Sequence, residues 1–134
     1  GAVLHTLNLR LHPNDLGYIA RHAEDRVVVV DRSLLPLLEK FLAQVPSVQH
    51  VIVIPDDGPV PEGRLDYEAL LAAEPGTYVF PELEERSAAM LCYTSGTTGN
   101  PKGVLYSHRS IVLHTLALCM ADTFGVGEAD AVLP

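Results

Sequence analysis

The chain has 134 residues, and with 48% apolar and 19% charged side chains it can bury a real core in a domain of ordinary size. Nine basic against seventeen acidic side chains leave a net charge of −8, which argues against a nucleic-acid or anionic-membrane binder, since both need a positive surface. The apolar run at 111–121 is well short of the ~20 residues that span a bilayer. Gly1-Ala2-Val3-Leu4-His5 lacks the basic region of a signal peptide, and Cys92 and Cys119 have no CxxC spacing, so reduced cytosolic thiols are expected rather than a disulfide scaffold or zinc ribbon.

In chain order, residues 2–7 are apolar and read as a short buried strand. Pro13 suits a first helical turn and Asp15 its positive end. Leu16, Ile19, Ala20 and Ala23 then keep the i, i+3, i+4, i+7 spacing of a helix with one buried face. Residues 27–30 are four valines, a run expected of a strand covered on both faces. Ser33 is the expected cap of a second helix, with Pro36 in its first turn and Leu34, Leu37, Leu38, Phe41, Leu42 and Val45 along its apolar stripe. A second β-branched run, 51–54, closes at Pro55. The pattern β-α-β-α-β over 1–54 predicts an α/β fold with a parallel, layered βαβαβ unit. The first strand-to-helix turn, Thr6-Leu7-Asn8-Leu9-Arg10-Leu11, contains no glycine, which excludes a dinucleotide site there.

Residues 55–86 form an acidic, proline-punctuated excursion: nine acids stand against Arg64 and Arg86, a net −7. Asp56-Asp57-Gly58 reads as a turn, and a short helix is predicted at 66–73 with Tyr67, Leu70 and Leu71 inward. The last segment, 87–134, opens with a strand at 88–93. It continues through Thr94-Ser95-Gly96-Thr97-Thr98-Gly99-Asn100-Pro101-Lys102-Gly103 to a second strand at 104–106, a cap at Ser107 and a helix over 108–121. That helix is apolar around most of its circumference and is expected to be buried.

The glycines of that loop let the backbone turn and approach a ligand. Successive N–H groups can converge on an anion, hydroxyls add donors or an oxygen for Mg²⁺, and lysine adds a mobile charge. Between Ser87 and Ala121 there is no acid, and Lys102 and Arg109 make a +2 island in a protein of −8. The string is not a Walker A motif, because Lys102 sits between Pro101 and Gly103 and a strand follows. By composition alone such a loop is more often a plain connection between strands.

The remaining candidates carry less. His5, His12, His22, His50, His108 and His114 show no HExxH pairing. His108 is read as a helix-start residue and His114 as a hydrogen-bonded core histidine. Ser95 lacks the G-x-S-x-G elbow of a hydrolase. Cys92 and Cys119, among apolar neighbours, are expected to be buried and inert.

Tyr93-Thr94-Ser95-Gly96-Thr97-Thr98-Gly99-Asn100-Pro101-Lys102-Gly103-Val104 resembles, without a mismatch, the phosphate-loop signature of the adenylate-forming superfamily of acyl-CoA synthetases, peptide adenylation domains and luciferases. Tyr106-Ser107-His108-Arg109 resembles its continuation. Gly1 to Asn8 and His22-Ala23-Glu24-Asp25-Arg26 resemble the medium- and long-chain fatty acyl-CoA ligase branch, with one departure at Leu9, where that branch often has proline. The resemblance implies a fragment of an N-terminal AMP-binding domain. The parent would be an ATP-dependent ligase that activates a fatty acid as an acyl-adenylate and transfers it to coenzyme A. Alternatives are another acid-adenylating enzyme of the superfamily and a non-catalytic nucleotide-binding module.

The resemblance also implies roles. Thr94, Ser95, Gly96, Thr97, Thr98, Gly99, Asn100 and Lys102 would hold the ATP phosphates, and Thr94 would help hold Mg²⁺. No residue within these 134 is expected to be catalytic. The family's later adenine-binding segment, magnesium-binding glutamate, ribose-binding aspartate and lysine-bearing C-terminal domain have no counterpart here, so the fragment alone is expected to be inactive. The chain lacks a starting Met and ends in Ala131-Val132-Leu133-Pro134, which reads as a piece cut from something longer. Uncovered apolar surface would favour homo-oligomers. A cytoplasmic parent is expected, with peripheral membrane association as a variant.

Overall fold

The computed structural model describes residues 1–56, 58–94 and 99–132. Strand β1 is Leu4–His5, α1 is Pro13–His22, β2 is Val27–Asp31, α2 is Leu35–Leu42 and β3 is His50–Ile54. Next come β4 (Leu65–Asp66), α3 (Tyr67–Ala73), β5 (Ala88–Thr94), β6 (Lys102–Ser107) and α4 (His108–Cys119). Contacts divide the chain into two compact units. One comprises Gly1–His5, Pro81–Cys92 and Val104–Pro134, the other Thr6–Phe80 and Tyr93–Gly103.

The second unit holds the core. Strands β2, β3 and β4 form a parallel sheet in that order, with Val28 beside Val51 and Val30 beside Val53. The alternation of a strand turns Val51 and Val53 inward. There they meet Leu16 and Ala20 of α1 and Leu35, Leu38 and Phe41 of α2, with Val45 beyond it. Val28 and Val30 pack against the same cluster from their half-buried positions. The opposite face of β2 is open: Val27 and Val29 are 51% and 53% exposed. The expectation of a strand covered on both sides is therefore corrected, because α1 and α2 pack on the face that Val28, Val30, Val51 and Val53 share.

Helix ends follow local chemistry. Pro13 opens α1, and the Asn14 amide donates to the His12 ring. At the other end Glu24 adopts φ 56°, its amide donates to the Arg21 carbonyl, and the Asp25 amide donates to the Ala20 carbonyl. Those two bonds close the helix as a Schellman motif. Ser33 does not cap α2 as expected. It lies within a 3₁₀ turn, Arg32–Leu34, and its own amide donates to the Asp56 carboxylate at 3.0 Å. Asp66 caps α3 through the Ala69 amide, and Ser107 caps α4 through the Ser110 amide, as expected for Ser107.

In the first unit, β1, β5 and β6 form a second sheet in the order β1-β5-β6, with Leu4 opposite Met90 and His5 opposite Leu91 in parallel. The α/β class and the parallel pairing are as read from the sequence, but the first strand joins β5 rather than β2. Two residues of strand carry too few apolar positions to declare a partner. Two burial expectations also fail. Leu70 and Leu71 of α3 are exposed, and α4 has no buried residue, with Val112, Leu113 and Leu116 more than half exposed. The apolar faces exist, but nothing within these residues covers them.

Candidate functional site

The glycine-hydroxyl loop leaves the end of β5 and returns at the start of β6, strands that are neighbours in one sheet. Thr94 is the last residue of β5, exposed, with no hydrogen-bond partner for its hydroxyl among the described residues. Gly99 holds φ +107°, a conformation that side-chain-bearing residues rarely adopt, and a Cβ there would meet nothing within 4 Å. Asn100 is exposed and Pro101 half-buried. Lys102 opens β6, exposed and without an ion pair among the described residues. Ser95, Gly96, Thr97 and Thr98 lie outside the described residues.

The second cation of the expected positive island is neutralised. Arg109 pairs with Glu85, while its backbone amide donates to the Glu85 carbonyl at 2.7 Å. Glu85 lies two residues before the acid-free stretch, so the stretch-wise count missed it. Lys102 is thus left as the loop's own cation.

His108 is the first residue of α4, its amide donating to the Ser87 carbonyl, which matches its helix-start reading. His114 is exposed on α4, which corrects its assignment as a core histidine. Cys92 is half-buried and Cys119 exposed, so the expectation of two buried thiols holds for neither fully. Neither is disulfide-bonded.

Sequence reasoning missed His22. The last residue of α1, it shares a 2.6 Å hydrogen bond between its Nδ1 and the Tyr93 hydroxyl, 71 positions away. Its ring meets the Tyr93 ring edge-on at 5.9 Å and stacks on Tyr18 at 5.6 Å. Burial first, then the neighbouring Tyr18 and the negative Asp25, raises the Tyr93 hydroxyl above its ordinary pKa of 10.0, so it stays protonated at neutral pH. The resemblance of the segment His22 to Arg26 was the only sequence signal at this position, and it named no contact.

A cleft elsewhere in the same unit is lined by Leu42, Val45, His50, Val51, Arg64 and Leu65 among others, with no residue of 94–103. It touches the first residues of β3, whereas ligands in open parallel sheets bind beyond the carboxyl ends of the strands. Among the described residues, no three His, Cys, Asp or Glu side chains converge as a metal site, and no helix is long and apolar enough to cross a membrane.

The family model of the AMP-binding enzymes matches residues 1–134. The chain belongs to the AMP-binding enzyme family. Over all of its residues it is 48% identical to a long-chain-fatty-acid–CoA ligase of Thermus thermophilus, of which it covers 24%. It is 41% identical to a medium-chain-fatty-acid–CoA ligase of Ectopseudomonas oleovorans, of which it covers 25%. Among solved structures it resembles the anthranilate CoA ligase AuaEII in complex with anthranoyl-AMP. The TM-score is 0.79 at 33% identity, over 87% of this chain and 22% of that one. The chain thus spans about a quarter of the length of the curated relatives it matches.

Proposed function

We propose that the polypeptide carrying this AMP-binding segment is an ATP-dependent, AMP-forming ligase of fatty acids. In the first step a carboxylate oxygen attacks the α-phosphorus of ATP, the bond to the bridging oxygen breaks, and pyrophosphate leaves. In the second, the sulfur of coenzyme A attacks the acyl carbonyl and AMP departs with the former carboxylate oxygen. Such transfers depend on positioning and on neutralising charge around the phosphates.

The observation that carries this reading is the loop's frame: an exposed Thr94, a positive-φ glycine at 99 and an exposed lysine at 102 with no ion pair among the described residues, bounded by two neighbouring strands of one sheet. In our reading Thr94, Ser95, Gly96, Thr97, Thr98, Gly99 and Asn100 supply hydroxyls and amides to the β- and γ-phosphates. Lys102 supplies the counter-charge. The Thr94 oxygen is a hard donor of the kind Mg²⁺ takes, and fits it beside phosphate oxygens; bound there, the ion would neutralise the leaving pyrophosphate. The fatty-acid assignment follows the relatives at 48% and 41% identity. An aryl acid is the second reading, favoured by the 33% identical anthranilate ligase. A cytoplasmic site of action accompanies either reading.

The test is pyrophosphate release by the full-length polypeptide with ATP, Mg²⁺ and, in parallel, octanoate, palmitate or anthranilate. Release should depend on a fatty acid. Replacing Lys102 with alanine should raise KM for ATP about 10- to 100-fold, the range for losing a charge-assisted hydrogen bond. Anthranilate as the preferred acid would select the second reading. Absence of acid-dependent release, or an unchanged KM in Lys102→Ala, would overturn the assignment.

A further inference from the structure

His22 and Tyr93 meet where the candidate loop begins. Tyr93 is the penultimate residue of β5, and the next residue, Thr94, starts the phosphate-binding string. His22 is held on the other side of the contact by a helix that cannot easily move: Leu16, Ile19 and Ala20 of α1 are at most 2% exposed, and the helix ends in the closed turn at Glu24. The His22 ring is fixed twice, by stacking on Tyr18 with the planes 25° apart and by the 2.6 Å bond to the Tyr93 hydroxyl. A buried helix therefore reaches through one imidazole to the residue from which the loop departs.

We infer that His22 is a positioning residue for ATP. By holding Tyr93 it fixes the end of β5, where Thr94 stands, so that this hydroxyl is already placed when the nucleotide arrives. The inference rests on the nucleotide-binding reading of that loop. It requires only that the bond exist, whichever of the two groups donates, and its effect belongs to substrate binding rather than to the chemical step. Interactions that act equally on bound substrate and transition state move KM and leave kcat in place.

The experiment is steady-state pyrophosphate release by the full-length polypeptide with ATP varied. The variants are His22→Phe, which keeps a ring against Tyr18 but loses the bond, Tyr93→Phe, which loses the same bond from the other side, the double variant, and His22→Asn, whose amide can restore a polar atom near the position of Nδ1. His22→Phe and Tyr93→Phe should each raise KM for ATP about three- to tenfold, the range for one hydrogen bond, with kcat and the KM for the fatty acid unchanged. The double variant should be no worse than either single one, since both remove one interaction. His22→Asn should recover most of the loss.

An unchanged KM for ATP in His22→Phe overturns the inference, as do additive effects in the double variant. So does a parallel fall in kcat, in both KM values and in Tm, which is what a merely structural contact would give. Lys102→Ala in the same polypeptide separates the two levels. If it raises KM for ATP while His22→Phe does not, only the positioning role fails. If neither moves it, the nucleotide reading of the loop fails and the inference falls with it.

Discussion

Asp56, and not Ser33, supplies the oxygen that accepts an amide at this helix start, and the amide is that of Ser33. Both side chains can accept a bond from an amide, and a serine before an apolar stripe is an ordinary helix start. The chain instead folds Arg32–Leu34 into a 3₁₀ turn and lets a carboxylate 23 positions later accept the Ser33 amide. Replacing Asp56 with alanine should therefore cost about 1 kcal/mol, the usual worth of a lost cap, read as a lower urea midpoint at unchanged slope. Ser33→Ala should cost much less. At this scale the sequence was informative where neighbours along the chain act together, as in the ordered string from Thr94 to Lys102. It was silent where they do not. Nothing near His22 announces Tyr93, and nothing in the acid-free stretch announces that Glu85 neutralises Arg109. Distant pairing of single polar side chains leaves no period to read.

The elements were legible in proportion to their periodicity. The stripes of α1 and α2 name Leu16, Ile19, Ala20, Leu38, Phe41 and Val45, all buried in the structure. The same logic misjudged α4, because an apolar circumference reports what a helix could bury and not whether a partner stands against it. It also passed over β4, whose two residues are too few for alternation to register. One element carries a correctable cost. Glu24 closes α1 at φ 56°, a left-handed conformation that a residue with a Cβ adopts only against steric resistance. Glycine belongs at that position of a Schellman motif. Glu24→Gly should stabilise the protein by about 0.5–1 kcal/mol, with the steric relief exceeding the extra freedom glycine gains when unfolded, and raise Tm accordingly. A lower Tm would show that the Glu24 side chain contributes more than its backbone loses.

For the whole molecule, the buried core lies within one unit. Among the described residues, all nine buried apolar ones fall between Leu16 and Val53, while α4 and the segment after it leave Val112, Leu113, Leu116, Met120 and Phe124 at 53–79% exposure. Apolar surface of that kind drives association in water. The 134-residue chain by itself should sediment as a concentration-dependent mixture of monomer and oligomers. The pair Val112→Lys and Leu116→Lys should shift it toward monomer without lowering Tm, and a strictly monomeric chain at all concentrations would contradict this.

The pairing of Leu4 with Met90 has a consequence for how the protein is made. Ribosomes add about 5–20 residues per second, so roughly 4–17 s separate the synthesis of the two partners. Strands β2 and β3 can close over α1 and α2 during that wait, because every buried residue of that core precedes position 54. Leu4 and His5, made before that core, are among the last of these residues to find their place, and until β5 arrives their strand pairing is unmade.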